Sequence, residues 1–156
     1  MNANPQVMRF FPGVMTEKDS LSMWNRIRKE LDERGYGLYA VELKHSGSLI
    51  GLLGFHWADF EADFTPCVEI GWRLVPEAYG YATEGARACL KHGFARFGFD
   101  RVYSFTACVN FPSQAVMQRV GMRKIAEFNH PKVAPDSILY PHVLYVKDTF
   151  RKIERE

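Results

Sequence analysis

The spacing of hydrophobic residues changes along the chain and predicts an alternation of helices and strands. Apolar side chains first recur every three or four residues, which is typical of an amphipathic helix with one buried stripe: Leu21, Trp24, Ile27 and Leu31. Thr16 and Asp19 provide a capping signal for the start of this helix, and Gly35 provides a typical end.

Runs of Leu, Ile, Val, Tyr and Phe predict strands. Residues 37–44 and 48–57 are expected to form a hairpin around the polar turn at 45–47. An acidic and aromatic loop at 58–66 then leads to a third strand at 67–74, which Pro76 ends.

The second half of the chain repeats this alternation. A helix is predicted at 82–97, with a buried stripe of Ala82, Ala86, Cys89 or Leu90, and Phe94. A strand at 102–109, a short helix at 112–120 and strands at 122–128 and 142–148 follow it.

This order of elements predicts the fold class. A strand, helix and strand at 67–109 indicate a right-handed parallel crossover within a mixed sheet. We therefore expect one α/β domain of the α+β type over residues 1–156, with a mostly antiparallel sheet and helices on both faces. The strand-to-helix junction before residue 82 is an expected anion site, because a helix start presents free N–H groups and a positive dipole end.

Composition excludes several classes of function. The net charge of +2 is too balanced to predict nucleic-acid binding. The chain shows no signal peptide and no apolar run near the ~18 residues of a membrane span, so a cytoplasmic protein is expected. The three cysteines lack CxxC spacing, and Cys89 with His92 lacks a second ligand pair, so we expect reduced thiols and no metal.

Three stretches carry a resemblance to a known family: VEIGWRLVPE running into GYATE at 68–84, TACVNFPS at 106–113 and VMQRVGM at 116–122. Together they resemble the acetyl-CoA-binding core of the GCN5-related N-acetyltransferase (GNAT) superfamily, closest to its RimJ/RimL-like branch. Residues 5–13 resemble the segment before the second helix of that family. The resemblance implies transfer of an acetyl group from acetyl-CoA to a primary amine.

The same resemblance implies site residues. The strand containing Trp72, Arg73 and Leu74 would bind the pantetheine arm through its backbone. The following turn and helix start would bind the pyrophosphate through Tyr79, Gly80, Tyr81, Ala82 and Thr83. Asn110 would contact the cofactor arm, and Ser113 matches a serine that assists the departing thiolate in the RimL-like branch.

The sequence departs from the family in two places. The family typically has Gly-x-Gly before Tyr-Ala-Thr-Glu, whereas only Gly80 remains here, so the phosphate turn is shorter and offers fewer N–H donors. The first strand of the family also has no counterpart. An open sheet edge predicts a homodimer, or a monomer in which the apolar segment at 7–11 covers that edge.

Several residues allow two interpretations. Glu69 shares a strand face with Gly71 and Arg73, where it would act as a general base, or it is a salt-bridged strand glutamate. Ser113 alternatively caps the short helix, and Asn110 alternatively ends a strand in a turn.

Other candidates rest on residue chemistry alone. Met117 stands where many family members carry a tyrosine acid, so no such acid is expected. The histidines that could carry protons, more often structural, are His56, His130 and His142. The loop carboxylates that would suit a cationic acceptor are Asp59, Glu61 and Asp63.

Two functions therefore remain open at the sequence level. The first is an acetyltransferase whose acceptor is a protein N-terminus, a polyamine or another small amine. The second is an acyl-CoA-binding or regulatory domain whose turnover is weakened by the short phosphate turn.

Overall fold

A computed structural model describes residues 1–149 and shows a six-stranded sheet with helices on both faces. The helices are α1 (Glu17–Arg34), α2 (Ala82–His92) and α3 (Phe111–Arg119). The strands are β1 (Leu38–Glu42), β2 (Leu49–Ala58), β3 (Cys67–Leu74), β4 (Arg101–Ala107), β5 (Arg123–Asn129) and β6 (Pro141–Asp148). Their order in the sheet is β1-β2-β3-β4-β6-β5. Only β3 and β4 pair in parallel, which confirms the predicted fold class.

Helix α1 has the predicted ends but buries a different stripe. The Thr16 hydroxyl accepts a hydrogen bond from the Asp19 N–H while the Asp19 carboxylate accepts one from the Thr16 N–H, and Gly35 ends the helix at φ 75°. Leu21 and Trp24 are 59% and 52% exposed, so the predicted stripe is wrong at these two positions. The face toward the sheet is shifted around the helix, and Met23, Ile27, Glu30 and Leu31 make its contacts.

Helices α2 and α3 cover one face of the sheet. Ala82, Ala86 and Leu90 of α2 are buried there, as predicted, together with Val116 and Met117 of α3. They join a core of sheet residues that includes Phe55, Ile70, Val102, Val143 and Tyr145. The predicted second helix loses its α-helical form after His92, because residues Gly93–Phe97 form one π-helical turn before Gly98 at φ 66°.

The opposite face is covered by α1, the N-terminal segment (residues 1–15) and the aromatic loop at 59–66. Phe60 and Phe64 of this loop pack against Phe105 and Phe128 with ring centroids 4.9–6.3 Å apart. Val7 and Met8 are 8% and 4% exposed, so the N-terminal segment packs onto its own domain. Within residues 1–149, β1 pairs only with β2 and remains an edge strand, and the homodimer stays a prediction.

The parallel pair opens soon after it begins. Glu69 and Tyr103 form the one registered pair between β3 and β4, whereas β3 pairs with β2 over its whole length to Leu74. The Ser104 hydroxyl donates a hydrogen bond to the Ile70 carbonyl at 2.8 Å, where the two strands begin to separate. The β4-facing edge of residues 71–74 is therefore left without a strand partner in the described chain, and the sheet contains a gap.

Substitution of Gly93, the first residue after α2, tests how tightly this end of the helix packs onto the sheet. Its backbone is helical, so alanine would ordinarily stabilise the helix, by up to about 1 kcal/mol. An alanine Cβ would, however, lie 2.6 Å from Phe55 Cζ and 3.0 Å from Phe99 Cδ2. Phe55 is fully buried and cannot move away, so Gly93→Ala should lower the free energy of unfolding by about 1–3 kcal/mol.

Urea denaturation measures this loss. The matched variant is Gly13→Ala, because nothing lies within 4 Å of a Cβ placed there. Gly93→Ala at wild-type stability would contradict the packing described.

Candidate active site

A cavity of about 720 Å³ passes through the gap between β3 and β4. Side chains alternate across a strand, so Glu69, Gly71 and Phe105 belong to the face that α1 covers. Trp72, Ser104 and Thr106 belong to the other face. All six residues line the cavity, which is therefore open to both sides of the sheet.

Most of the residues implied by the resemblance lie around this one cavity. Those lining it are Glu69, Trp72, Arg73, Leu74, Tyr79, Gly80, Ala82, Asn110 and Ser113. Tyr81 and Thr83 do not line it, and the Tyr81 side chain is 45% exposed. The individual roles of these residues remain predictions.

The short phosphate turn is a 3₁₀ helix, Pro76–Tyr81, that leads directly into α2. The N-cap of α2 is Tyr81 in a helical conformation, and no side chain within the described residues caps the helix start. Gly80 has open space around its Cα, so its lack of a side chain leaves room on the cavity side. The Arg9 guanidinium lies 5.6 Å from the Tyr79 ring and brings a positive charge to this end of the cavity.

The Arg73 side chain anchors the N-terminal segment. Its Nη1 donates a hydrogen bond to Asn2 Oδ1 at 2.9 Å, and its guanidinium lies 4.3 Å from the Phe11 ring. Burial lowers the pKa of Arg73, and its Nε has no hydrogen-bond partner within residues 1–149. The role left for Arg73 in cofactor binding is therefore that of its backbone, as the resemblance implies.

The N-terminal segment lines the cavity, which the sequence reasoning did not anticipate. Its contribution runs from Gln6 to Pro12 and includes Arg9, Phe10 and Phe11. The available signal was the apolar character of Val7, Met8, Phe10 and Phe11, which indicated that this segment had to pack somewhere.

Asn110 is the residue that caps α3. Its Oδ1 accepts a hydrogen bond from the Ser113 N–H at 3.2 Å, and its Nδ2 donates one to Thr106 Oγ1 at 2.9 Å. The interpretation of Ser113 as the cap is therefore wrong, because a Pro at the second helical position places Ser113 inside the first turn. The Ser113 side chain lines the cavity instead.

Glu69 presents a carboxylate to the cavity. Burial raises the pKa of Glu69 to about 7, against a smaller lowering by the charge of His56. None of the salt bridges within residues 1–149 involves Glu69, so the interpretation as a salt-bridged glutamate finds no support there. A carboxylate with this pKa is about half ionised near neutral pH, as a general base requires.

The α1-side end of the cavity has an aromatic wall. His130 and His142 line it with ring centroids 4.9 Å apart, next to Phe105. Burial, with the charges of His142 and Lys132, lowers the pKa of His130 to about 4, and burial lowers the pKa of His142. Both shifts favour the uncharged imidazole at neutral pH.

The charges on the cavity wall differ from those expected. Asp59, Glu61 and Asp63 do not line it, and Glu69 is the one carboxylate among the described lining residues. The lining cations are Arg9, Arg73, Arg119 and Lys132. Met117 is 1% exposed and part of the core, as predicted.

Residues 1–149 contain neither a cluster of metal ligands nor a membrane-spanning helix. No three His, Cys, Asp or Glu side chains there are grouped so that they could hold a metal ion. No helix in that range is both long and apolar enough to cross a membrane.

Comparison with known proteins establishes the class to which this fold and cavity belong. Residues 1–123 match the sequence profile of the acetyltransferase (GNAT) domain, so the chain belongs to the GNAT acetyltransferase family. It is 32% identical over 125 residues to the uncharacterized N-acetyltransferase YnaD of Bacillus subtilis, a match that covers 78% of this chain and 69% of YnaD.

Solved structures agree with this assignment. The crystal structure of a GNAT-family acetyltransferase from Bacillus anthracis superposes with a TM-score of 0.74 at 28% identity, covering 94% of this chain and 84% of that one. RimJ from Mycobacterium smegmatis, in complex with CoA-disulfide, gives a TM-score of 0.67 at 22% identity over 86% of this chain and 63% of its own. At 22% identity, the similarity to RimJ shows a shared fold and is not evidence of a shared function.

Asn110 allows its two roles to be separated by substitution. Asn110→Ala removes both the cap and the amide, whereas Asn110→Ser keeps a capping hydroxyl and removes only the amide. If the amide binds acetyl-CoA, both variants should weaken its Kd about two- to twelve-fold, the 0.5–1.5 kcal/mol of one net hydrogen bond. Both variants lose the hydrogen bond to Thr106, but the alanine variant also loses the cap and should be about 1 kcal/mol less stable than the serine variant.

Calorimetric titration with acetyl-CoA and urea denaturation give the two quantities. A wild-type Kd in both variants would restrict Asn110 to capping α3.

Proposed function

We propose that the protein is a cytoplasmic, acetyl-CoA-dependent N-acetyltransferase of the RimJ/RimL-like kind that acetylates a primary amine by direct attack. The observation that carries this proposal is the gap between β3 and β4, with a cavity that is open to both faces of the sheet. Donor and acceptor can then approach each other from opposite sides and meet between the strands.

The residues around the gap fit an acetyl-CoA molecule. An extended arm that contains amide groups can pair with the free edge of residues 71–74 as an added strand would. The N–H groups at the start of α2 and the charge of Arg9 favour a pyrophosphate at the adjacent end. When bound there, acetyl-CoA supplies an activated acetyl thioester.

The chain supplies the proton chemistry. Glu69 takes a proton from the acceptor ammonium, so that the free amine can attack. The Ser113 hydroxyl, which lines the cavity at the start of α3, gives a proton to the departing sulfur.

The charged residues that line the cavity restrict the class of amine that can serve as the acetyl acceptor. Several carboxylates would stabilise the several positive charges of a polyamine, whereas Glu69 is the lone described carboxylate that lines the cavity and Lys132 lies near the aromatic wall. The lowered pKa values of His130 and His142 favour uncharged rings in the aromatic wall of the cavity that Glu69 also lines. These features favour an acceptor with one amino group, either a small amine or a peptide N-terminus, over a polyamine.

One observation favours the alternative function. The phosphate turn offers a 3₁₀ helix and an uncapped helix start in place of a glycine-rich loop, and weak acetyl-CoA binding or slow turnover would follow. The two functions are separated by calorimetric titration of acetyl-CoA together with thiol release on addition of monoamines, polyamines and short peptides. Saturable binding with thiol release supports the enzyme, binding alone supports a regulatory domain, and no binding overturns both.

The role proposed for Glu69 predicts a characteristic pH dependence of the reaction rate. The wild-type rate should rise as the pH passes through about 7, because Glu69 loses its proton there. Glu69→Gln keeps the shape and removes the charge, so the rate should fall most near neutral pH. It should recover in alkali, where the acceptor amine is deprotonated in solution.

The pH dependence of kcat in both proteins measures this effect. A variant that kept the wild-type pH dependence would exclude Glu69 as the base.

A further inference from the structure

His56 lies at the rim of the cavity, between Glu69 and solvent. It is the direct cross-strand partner of Glu69 in the β2–β3 register, and such partners have Cβ atoms roughly 4.5–5.5 Å apart. The His56 side chain lines the cavity and is also 54% exposed. It therefore contacts both the space around Glu69 and the surrounding water.

Glu30 of α1 holds this imidazole in place. Its Oε2 lies 2.9 Å from His56 Nδ1, and its Oε1 accepts a hydrogen bond from the Trp57 N–H. The Glu30 side chain is only 11% exposed, so both carboxylate oxygens are committed to β2. With the Nδ1 proton donated to Glu30, the lone pair of the neutral ring is on Nε2.

The charges around His56 favour its protonation. The hydrogen bond to Glu30 raises the pKa of His56, and the negative charges of Glu30 and Glu69 add to this, against burial and the charge of Lys132. Burial alone would raise the pKa of Glu30, but the hydrogen bonds from His56 and Trp57 and the charges of His56 and Arg34 lower it overall. This shift moves the proton affinity of the imidazole from that of an ordinary histidine toward that of Glu69, whose pKa is about 7, so a proton can pass between the two groups.

The structure assigns His56, positioned by Glu30, as the relay that carries the acceptor's proton from Glu69 to solvent. This inference rests on the proposed function. His130 and His142 also line the cavity, but the lowered pKa of each makes its imidazole a weaker proton acceptor.

The proton balance requires such an exit. The acceptor ammonium gives one proton to the Glu69 carboxylate, and the freed amine nitrogen bonds to the acetyl carbon as the carbon–sulfur bond breaks. The departing sulfur takes its proton from the Ser113 hydroxyl, and the second proton of the nitrogen restores that hydroxyl, so each turnover releases one net proton. His56 takes this proton from Glu69 and releases it to water, which restores the carboxylate for the next turnover.

The test uses the full chain, acetyl-CoA and whichever amine gives the fastest thiol release in the panel above. His56→Gln should lower kcat at neutral pH by about 10²-fold, the lower range for one proton-transfer group. Added imidazole should restore much of the rate at constant ionic strength, because a small base can reach the half-exposed rim. The wild type should not respond to imidazole.

The matched control is His45→Gln, because His45 lies in the turn between β1 and β2 and does not line the cavity. Its rate should equal that of the wild type, with no response to imidazole.

Glu30→Gln provides a readout that does not depend on turnover. The amide oxygen can still accept the Trp57 N–H, so the strand contact remains while the charge is lost. The pKa of His56, measured by NMR titration of its ring, should fall in this variant because its carboxylate partner is gone.

Three results would each overturn the relay while leaving the proposed function intact. They are a wild-type kcat in His56→Gln, a slow His56→Gln without imidazole rescue, and an unchanged His56 pKa in Glu30→Gln. Absence of thiol release from the wild type with every amine would instead overturn the proposed function, and the relay with it.

Discussion

The separation of β3 from β4 is the constraint on which the rest of the structure depends. The two strands are held together where they begin, since Glu69 pairs with Tyr103 and the buried Ile70 and Val102 join the core beneath them. Beyond that point β3 stays paired with β2, and β4 pairs with β6. Each strand is thus tied to a different part of the sheet, and the gap between them is built into the fold.

This gap accounts for the distribution of chemistry in the molecule. On one side lie α2, α3 and the short phosphate turn, where helix starts favour an anion and where Arg9 of the N-terminal segment reaches the Tyr79 ring. On the other side lie Glu69, His56 and the aromatic wall, where proton transfer from an amine is favoured. Helix α1 contributes Glu30 to that second side through the same face that packs on β2. Packing and proposed catalysis therefore use one set of contacts.

Local signals in the sequence were sufficient for most elements. The strand predicted at 67–74 coincides with β3, because Pro66 and Pro76 flank the segment and limit where the strand can begin and end. The stripe of α1 was wrong at Leu21 and Trp24, because a helix with apolar residues on more than one side does not show by itself which side meets the sheet. The tertiary contacts of Met23 and Glu30 decide that question.

The candidate site was predictable only in part. Residues in contiguous motifs, such as Trp72, Gly80 and Asn110, are brought to one cavity as the family resemblance implied. The pairing of Glu30 with His56 joins residues 26 positions apart on a helix and a strand, and neither residue carries a local motif. The N-terminal segment lines the cavity because Arg73 holds Asn2 by a hydrogen bond. The spacing of hydrophobic residues along the sequence could not indicate this contact.

A crystal structure of the protein grown with acetyl-CoA would test the central claim most directly. The account predicts that the pantetheine arm lies in the gap between β3 and β4, hydrogen-bonded to the backbone of residues 72–74, with its thioester near Ser113 and Glu69. A cofactor bound elsewhere, or β3 and β4 paired along their full length with the gap closed, would contradict it.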